Sequence, residues 1–217
     1  MRVLICDDSA LFRRGLALLL KQSGVEVVAE ARDASEARKL AEEHHADAAI
    51  LDIRMPPTFT DEGLAAAVEL RQRFPDMGVL VLSTYAEAAF AERLLSASPR
   101  GVGYLLKDRV DDASALREAL ERVRGGGSVV DPEIVSMLLA RRHQETQIDR
   151  LTERERDVLT LMAEGRSNGA IARQLYLGAK TVEAHIAAVF SKLGLGPASD
   201  DNRRVLAVLT WLRMEQR

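Results

Sequence analysis

Over residues 1–124, short apolar segments alternate with segments whose apolar residues follow helical spacing. The short segments are VLIC, VEVVAE, DAAIL, GVLVLS and GVGYLL, and their length and β-branched content are typical of strands. Between them lie ALFRRGLALLLKQ, SEARKLAEEH, GLAAAVELRQRF and AEAAFAERLLS, and a fifth helical pattern runs from about Asp112 to Val123. Five strand–helix units in a row predict a parallel sheet with helices on both faces.

The segment RGGGS at 124–128 interrupts this alternation. Consecutive glycines could form a phosphate-binding loop, but this segment follows a helix and lacks the Lys-Ser/Thr that ends such loops. We therefore interpret residues 125–148 as a linker and residues 1–124 as the first domain. Within the linker, DPEIVSMLLARR predicts a short helix with Pro132 at its first position, followed by the polar HQETQID.

From Thr152 onward every pattern is helical. The sequence TERE at 152–155 has the form of a capping box and precedes an apolar stripe. AIARQL gives a second helix, LG a turn, AKTVEAHIAAVFSKLGL a third helix and RRVLAVLTWLRM a fourth. Two helices joined by a tight turn predict a helix-turn-helix domain over residues 149–217. The stripe after the capping box consists of Val158, Leu159, Leu161 and Met162.

Charge is spread unevenly between the two predicted domains. The chain of 217 residues is 47% hydrophobic and 29% charged, as ordinary globular proteins are, and its net charge is −3. Residues 149–217 hold 11 Lys and Arg against 9 Asp and Glu, whereas residues 1–148 hold 19 against 24. The C-terminal excess is small, so it permits a nucleic-acid partner without demonstrating one.

Apolar runs and cysteine content point to a soluble protein. Runs such as Gly15–Leu20 fall far short of the ~20 residues of a membrane span, and Asp7 and Asp8 interrupt the N-terminal run before it could act as an export signal. The single cysteine, Cys6, cannot form an internal disulfide. We therefore expect a reduced, cytoplasmic setting and no membrane partner. The histidines are dispersed and predict no zinc site: His44, His45, His143 and His185.

Acidic residues stand where the predicted strands end. Adjacent aspartates such as Asp7 and Asp8 could form a solvated turn, cap a helix or contribute to a cation site. Because the carboxyl ends of parallel strands meet at one edge of a sheet, they should lie close to Asp52 at the end of the third strand. Three carboxylates there repel one another unless a cation is present, and oxygen ligands suit Mg²⁺. Ser83 ends the fourth strand and Lys107 follows the fifth, so both should reach the same edge.

These motifs carry a resemblance to a known family. LICDDS, LDIRMP, VLS and GYLLKD, in this order, resemble the receiver domain of two-component response regulators. The segment LTERERDVLTLMAEGRSNGAIARQL and the following TVEAHIAAVFSKLGL are similar to the LuxR-type helix-turn-helix. Together they resemble the NarL/FixJ class of transcription factors over nearly the whole chain. The fold implied is α/β, a five-stranded doubly wound parallel sheet of the flavodoxin-like type, followed by a small all-α helix-turn-helix domain.

The resemblance implies a role for each residue at the acidic edge. Asp52 would be the phosphoacceptor and also a metal ligand, with Asp8 a direct Mg²⁺ ligand and Asp7 a ligand through water. The backbone carbonyl of Arg54 would be a further metal ligand, and its side chain could lie near the phosphoryl group and tune its lifetime. Lys107 would contact the phosphoryl group. Ser83 would supply the hydroxyl that senses the phosphoryl oxygens, and Tyr104 the aromatic switch.

Ordinary structural roles remain open for the same residues. Ser83 could cap the end of its strand, with Thr84 as a competing hydroxyl, and Tyr104 could be a core aromatic residue. Lys107 could pair with its neighbour Asp108, and Asp52 could cap the loop that follows it. That loop, MPPTFTDEG, is about three residues longer than is usual in the family and carries two prolines, which puts kinase docking and the local dimer surface in question.

Helical spacing in the third C-terminal helix defines the face expected to read DNA. Its inward positions are Val182, Ile186, Val189 and Phe190, which leaves an exposed face with few charges. The family usually carries lysines near Glu183 and Ala187, so Glu183 either accepts from a cytosine amino group or repels DNA, and the alanines could touch thymine methyl groups. The predicted DNA contacts are Lys180, Thr181, Glu183, Ala184, Ala187, Lys192, Arg166 and Arg173, with Arg203 as another phosphate contact.

The function implied by the resemblance is a phosphorylation-controlled switch. A sensor histidine kinase would phosphorylate Asp52 with Mg²⁺ as cofactor, and the added charge would attract Lys107 and Ser83 while Tyr104 turns inward. The C-terminal domain would then bind double-stranded promoter DNA as a homodimer. The last helix supplies the predicted dimer surface through Val205, Val208, Leu209 and Leu212.

Two other functions fit parts of the sequence. A metal-dependent phosphohydrolase with an aspartyl phosphate needs a second acid two residues after the nucleophile, and Arg54 stands there, so we predict that the chain is not an enzyme. A receiver attached to a helix-turn-helix that has lost DNA binding stays open as an alternative because of the sparse charge on the third helix.

Overall fold

The computed structural model describes residues 1–196 and 202–215, with all of their side chains except those of 143–146 and 213–215. These residues divide between two compact units, Met1–Leu138 and Leu139–Arg217. The first unit is α/β and the second is helical, in agreement with the two compositions of the sequence.

The described residues of the first unit contain six strands in one sheet. They are β1 (Arg2–Cys6), β2 (Glu26–Ala31), β3 (Ala48–Asp52), β4 (Gly78–Ser83), β5 (Val102–Leu106) and β6 (Val129–Val130). The order across the sheet is β2-β1-β3-β4-β5-β6, and each neighbouring pair is parallel. The chain therefore reverses its direction of winding between β1 and β3, where doubly wound sheets bind their ligands.

Alternation along the strands builds a core on each face of the sheet. Leu4 and Cys6 of β1 pack on the side of α2 (Ala34–His44), α3 (Glu62–Arg73) and α4 (Ala88–Ala97). Val3 and Ile5 point the other way, towards α1 (Ala10–Gln22) and α5 (Ala113–Arg124). Since successive strand side chains alternate between faces, a run without polar residues indicates a strand buried on both sides. This confirms the predicted doubly wound architecture.

The predicted fold is corrected in one respect, because the sheet has six strands in the described residues where five were predicted. Strand β6 lies within the segment predicted as a linker, where Val129 and Val130 pair with Gly103 and Tyr104 of β5. The amide of Asp131 then donates to the carbonyl of Tyr104 at 2.9 Å, which extends the pairing. Two residues are too few to show a period in the sequence, and the pairing exists only because β5 offers an open edge.

The helix after β6 is longer than the predicted one. Helix α6 (Pro132–Asp149) has 18 residues and takes in the polar segment that the sequence analysis left outside its helix. Asp131 accepts a hydrogen bond from the amide of Glu133 at 2.9 Å, in the first turn of α6. None of the helices in the described part of the chain is both long enough and apolar enough to span a membrane.

The second unit packs α7 (Glu153–Ala163), α8 (Asn168–Leu175), α9 (Ala179–Lys192) and α10 (Arg203–Glu215) around a small core. The capping box is present, because the Thr152 hydroxyl accepts from the amide of Glu155 and the Glu155 carboxylate accepts from the amide of Thr152. The stripe that follows it is buried, with Val158 and Leu159 fully inaccessible. Helices α8 and α9 are joined by a tight turn at Tyr176, whose φ is +57°.

Candidate functional site

Three carboxylates and one ammonium group meet where β1, β3 and β5 end. Lys107 Nζ donates to Asp7 Oδ2 at 2.6 Å and lies 3.1 Å from Asp52 Oδ2. Oxygen atoms of Asp7, Asp8 and Asp52 all lie within 4.8 Å of one another. Helices α1 and α3 leave the ends of β1 and β3 towards opposite faces of the sheet, and this opens a crevice between the two strands. The structure thus brings together four residues that are up to 100 positions apart in sequence.

Burial makes it unfavourable for all carboxylates of this cluster to be ionised at once. Asp7 is 2% exposed and Asp52 is 8% exposed, whereas Asp8 faces solvent. Burial raises the pKa of Asp52 above its ordinary value, and although Lys107 lowers that pKa, Asp7 pushes it up again. A set of carboxylate oxygens with one exposed member fits a hard divalent cation, which would relieve the repulsion that a single lysine offsets only in part. The acidic cluster is therefore compatible with Mg²⁺.

The turn that carries the two aspartates is held by neighbouring side chains. Ser9 caps α1, and its amide donates to Asp7 Oδ1 at 2.9 Å. Arg13 Nη1 donates to the carbonyl oxygens of Asp7 and Asp8 at 2.6 and 3.2 Å, and its Nε lies 3.5 Å from a carboxylate oxygen of Glu30. Because Ser9 is the helix cap, both aspartates are left to the acidic site. The sequence analysis missed the role of Arg13. Helical spacing places this residue on α1 but does not indicate which groups it contacts.

Gly63 is a second residue that the sequence analysis missed. Its amide donates to the carbonyl of Ile53 at 2.9 Å. A Cβ atom at this position would lie 1.6 Å from the carbonyl oxygen of Asp52, so only glycine allows α3 to begin here. Asp52 itself is fixed by a hydrogen bond from the amide of Ile53 to its Oδ1 at 2.9 Å.

Ser83 and Tyr104 converge on one backbone carbonyl beside the acidic cluster. Ser83 Oγ donates to the carbonyl oxygen of Tyr85 at 2.7 Å and accepts from the amide of the same residue at 3.2 Å. The Tyr104 hydroxyl donates to that carbonyl at 3.4 Å, and its ring is fully buried. Burial raises the pKa of Tyr104 above its ordinary value. Ser83 therefore makes the local strand-end contact, while the neighbouring Thr84 is exposed.

Arg54 points to partners outside the acidic cluster. Its Nη2 lies 2.7 Å from Glu87 Oε1, and its guanidinium stands over the ring of Tyr85 at 5.7 Å. The side chain was suggested to lie near the phosphoryl group. In the structure it contacts residues of the segment before α4 instead. Lys107 also departs from the simple pairing with Asp108, because its contacts are with the two aspartates and with the ring of Phe12 at 4.5 Å.

The third C-terminal helix, α9, has the two faces that its spacing predicts. Val182, Ile186 and Val189 are buried and Phe190 is half-buried. The opposite face is exposed and consists of Lys180, Thr181, Glu183, Ala184 and Ala187, together with Ser191. Helix α8 begins at the cap Ser167, whose hydroxyl accepts from the amide of Ala170 at 3.3 Å. The pair α8 and α9, with the turn between them, has the form of a helix-turn-helix.

Comparison with known families agrees with both parts of this geometry. Residues 3–121 match the family described as response regulator receiver domain, and residues 149–209 match the bacterial regulatory proteins of the luxR family. The chain belongs to the response regulators of the NarL/FixJ class. It is thus a transcription regulator with a receiver domain and a LuxR-type DNA-binding domain, as the sequence motifs predicted.

Relatives of this response regulator match it along most of its length. The oxygen regulatory protein NreC of Staphylococcus epidermidis is 34% identical over 206 residues, which cover 90% of this chain and 92% of that protein. The transcriptional regulatory protein DegU of Brevibacillus brevis is 33% identical over 215 residues, with 90% and 88% covered.

Solved structures show the same architecture. A structure of the RcsB response regulator of Salmonella typhimurium is 27% identical, covers 99% of this chain and 98% of its own, and superposes with a TM-score of 0.62. A structure of two RcsB dimers bound to two parallel DNAs is 25% identical, with 98% of each chain covered and a TM-score of 0.57.

One residue of the response regulator that is predicted to contact DNA, Lys192, has a partner inside the helical unit. Lys192 Nζ donates to Glu155 Oε2 at 2.6 Å, and Glu155 is 6% exposed. The lysine therefore compensates a buried carboxylate of the small domain, and a contact with a DNA phosphate, which stays a prediction, would compete with this pair. The sequence analysis identified Glu155 only as half of the capping box, because its partner lies 37 positions away and no local pattern connects them.

Other basic side chains predicted to contact DNA stay at the surface of the response regulator. Arg173 is exposed, and Arg166 lies 3.3 Å from the carboxylate of Glu164 in an exposed pair. The Arg203 guanidinium stands over the Phe190 ring at 5.0 Å. Exposed ion pairs contribute little to stability, so Arg166 would lose little free energy if it left Glu164 to contact a DNA phosphate. These contacts stay predictions.

Helix α10 leaves apolar surface uncovered in the described structure. Val205 is 51% exposed, Leu209 is 43% exposed and Leu212 is 39% exposed, whereas Val208 is half-buried against the core of the helical unit. Three exposed aliphatic side chains at positions i, i+4 and i+7 form a stripe along one helix face. The stripe matches the surface predicted for dimerisation, which stays a prediction.

Proposed function

We propose that this response regulator is switched by a phosphoryl group that a sensor histidine kinase transfers to Asp52. The observation that carries the proposal is the position of Lys107, whose ammonium lies 2.6 Å from Asp7 and 3.1 Å from Asp52 at the ligand-binding edge of the sheet. A recessed carboxylate with an ammonium group beside it suits nucleophilic attack on phosphorus, where negative charge accumulates on the transferred oxygens.

The proposed transfer is a single displacement. An oxygen of the Asp52 carboxylate forms a bond to phosphorus while the phosphorus–nitrogen bond of the donor phosphohistidine breaks, and the imidazole leaves with the electron pair. Lys107 neutralises charge on the phosphoryl oxygens. Asp8, Asp7 through water and the backbone carbonyl of Arg54 would hold Mg²⁺, which supplies charge neutralisation when bound.

The phosphoryl group would then act as a switch by competing for existing hydrogen bonds. Ser83 Oγ donates to the carbonyl of Tyr85, and it must leave that acceptor to donate to a phosphoryl oxygen. Tyr104 shares the same acceptor, so its hydroxyl gains the carbonyl that Ser83 gives up. Phosphorylation adds roughly two negative charges and so favours this exchange. We propose that the rearranged surface around β4 and β5 controls dimerisation and promoter binding by the helix-turn-helix, with α9 at the DNA and α10 between the two copies.

The test of this proposal is labelling of Asp52. The full chain is incubated with Mg²⁺ and radiolabelled acetyl phosphate, and we expect Asp52→Asn to abolish incorporation, since the amide is a poor nucleophile. Asp111→Asn, a change of the same kind at an exposed site, serves as the control and should label as the wild type does. Label that resists hydroxylamine, which cleaves acyl phosphates but not phosphate esters, or label that survives in Asp52→Asn, would place the modified residue elsewhere.

A second function is favoured by the composition of the exposed face of α9. It carries Glu183, Ala184 and Ala187, and Lys192 donates to Glu155. In this alternative the helical unit acts through protein contacts and does not bind DNA. Selection from randomised duplex DNA, with and without Mg²⁺ and a small phosphodonor, separates the two: enrichment of a two-fold motif supports promoter binding, and no enrichment while Asp52 is labelled supports the alternative.

A further inference from the structure

The loop between Asp52 and α3 presents an aromatic side chain to solvent. Phe59, at its tip, is 51% exposed and has a φ of +57°. A bulky residue in the left-handed region is an outlier that persists only where the surroundings enforce it. Strained backbone conformations cluster at functional sites, so the conformation of Phe59 in the loop after Asp52 points to a functional role.

A network of polar contacts fixes this loop, which we call the rim loop (residues 56–62). The Glu62 carboxylate accepts from the amides of Thr58 and Thr60 at 3.0 and 2.9 Å, and from the Thr58 hydroxyl. Asp61 forms an ion pair with Arg93 of α4. The Phe59 amide donates to the carbonyl of Met55 at 3.0 Å. The ring is therefore presented by a preorganised backbone, so little conformational entropy would be lost when a partner covers it.

The rim loop is rooted beside the phosphoacceptor. Its return point, Gly63, donates to the carbonyl of Ile53, the residue after Asp52. The end of the loop thus returns to within one residue of a carboxylate that is itself only 8% exposed. A protein that delivers a phosphoryl group to this recessed carboxylate must contact the loops that surround it.

Two further apolar side chains stand on the same rim. Leu11 is 84% exposed and lies three residues after Asp8, at the start of α1. Tyr85 is 62% exposed and lies two residues after Ser83, at the end of β4. Two loops and the first turn of α1, all at the carboxyl edge of one sheet, therefore each expose a large apolar side chain around a polar, buried centre. Apolar anchors around a polar reacting group are the arrangement of a protein-binding surface.

We propose that Phe59 on the rim loop is an anchor for the phosphohistidine-bearing surface of the sensor kinase, and that it contributes to the choice of kinase. The inference rests on the proposed phosphorylation of Asp52. We assign the kinase as the partner that covers Phe59, because the phosphodonor protein is the macromolecule that must bring an atom within bonding distance of Asp52. A small phosphodonor reaches the same carboxylate without touching Phe59, which separates docking from chemistry.

The variants follow from the backbone of Phe59. Phe59→Asn removes the ring and tolerates a positive φ, because Asn visits the left-handed region more readily than other residues with a Cβ. Phe59→Leu keeps an apolar anchor and should retain most of the function. Val135→Asn, which removes a partly exposed apolar side chain from α6, is the control outside the rim loop.

The experiment is a phosphotransfer profile of the full chain. The cytoplasmic fragments of the histidine kinases of the source organism are autophosphorylated with radiolabelled ATP, the fragment that transfers fastest is selected, and transfer rates are measured against regulator concentration. We expect Phe59→Asn to lower kcat/KM by about tenfold, chiefly through KM, as loss of an interface anchor does. Val135→Asn should transfer at the wild-type rate, and labelling by acetyl phosphate should stay within about twofold for every variant.

The remaining outcomes overturn the inference in distinct ways. Equal transfer to wild type and Phe59→Asn removes the anchor role, and a changed oligomeric state with equal transfer assigns the rim to a second copy of the chain. A parallel fall in acetyl phosphate labelling makes Phe59 a structural residue of the acceptor site. If acetyl phosphate labels Asp52 but no kinase does, the docking inference fails while the acceptor assignment stands. If nothing labels Asp52, the proposed function fails as well.

Discussion

Lys107 donates to Asp7 at 2.6 Å and stands 3.1 Å from Asp52, so one ammonium group serves two buried carboxylates. Asp7 holds the shorter contact. A cation that binds Asp7 and Asp8 would therefore take over the charge that Lys107 now compensates and free the lysine for a phosphoryl group on Asp52. In this arrangement, binding of a metal would change the role of the lysine.

This coupling predicts the effect of Lys107→Ala. Without the ammonium group the phosphoryl oxygens lose their only cationic side-chain partner in the described acidic cluster, and we expect the rate of Asp52 labelling by acetyl phosphate to fall roughly 10²-fold, as it does when one preorganised electrostatic donor is removed. Asp108→Ala is the control, because Asp108 is adjacent in sequence but exposed. A wild-type rate in Lys107→Ala would refute the role of the lysine.

The second prediction concerns Gly63, where a side chain has no room. A Cβ atom there would meet the carbonyl oxygen of Asp52 at 1.6 Å and its carbonyl carbon at 2.7 Å. Since the clashing atoms are backbone, α3 and the end of β3 must separate, and we expect Gly63→Ala to lower the free energy of unfolding of the receiver by about 3 kcal/mol, at the upper end for overpacking. Urea unfolding followed by circular dichroism measures it.

A glycine elsewhere in the same domain gives the matched control for Gly63. Gly15 is exposed in the middle of α1, and nothing lies within 4 Å of a Cβ placed on it. Gly15→Ala should therefore stabilise the receiver by about 0.5–1 kcal/mol. Equal effects of the two substitutions would mean that the close approach of Gly63 to Asp52 has no energetic consequence.

These residues show what the sequence could predict and what it could not. The acidic edge was predictable because a rule of topology brings the ends of β1, β3 and β5 together, and the faces of α9 because helical spacing separates Val182 from Glu183. The requirement for glycine at 63 and the pair of Lys192 with Glu155 arise from contacts between elements, which leave no periodic trace. The pairing of Val129 with Gly103 escaped for the same reason, since two residues cannot express an alternation.

The third prediction separates the two roles of Glu155 in the helical unit. Its carboxylate accepts from the amide of Thr152 at 2.7 Å and from Lys192 at 2.6 Å. Glu155→Ala loses both contacts and should lower the free energy of unfolding of this unit by about 2–3 kcal/mol, whereas Glu155→Gln keeps the cap and should lose about half as much. Trp211 is the single tryptophan and packs in this unit, so its fluorescence reports the transition.

An exposed ion pair on the same helix controls for charge alone. Arg154 Nη1 lies 3.3 Å from Asp157 Oδ2, and both side chains are well exposed. Asp157→Asn should therefore change the free energy of unfolding by no more than about 0.5 kcal/mol. An effect as large as that of Glu155→Ala would show that burial of the Glu155 carboxylate is not what makes its pair with Lys192 important.

The contribution of Glu155 should also depend on pH with a definite sign. Burial raises its pKa, but hydrogen bonds from Lys192 and Thr152 outweigh burial and hold the pKa below the ordinary glutamate value. The folded state therefore favours the carboxylate, so its stabilisation is complete above the unfolded pKa of about 4.3 and is lost as the pH falls through the lower folded pKa. The difference in stability between wild type and Glu155→Gln should shrink on acidification, and a difference that grows would contradict the assignment.

The last prediction uses the salt dependence of DNA binding to tell a phosphate contact from an internal ion pair. Lys180 is exposed at the start of α9, while Lys192 at its end is 2.6 Å from the buried Glu155. Each phosphate contact releases condensed counterions, so Lys180→Ala should reduce the slope of log K against log[salt] by about 1 on a duplex of arbitrary sequence. Lys192→Gln, measured well below its unfolding temperature, should leave that slope unchanged and lower the thermal stability of the helical unit instead. The reverse pattern, with a reduced slope for Lys192→Gln, would return Lys192 to the DNA surface and require its pair with Glu155 to open on binding.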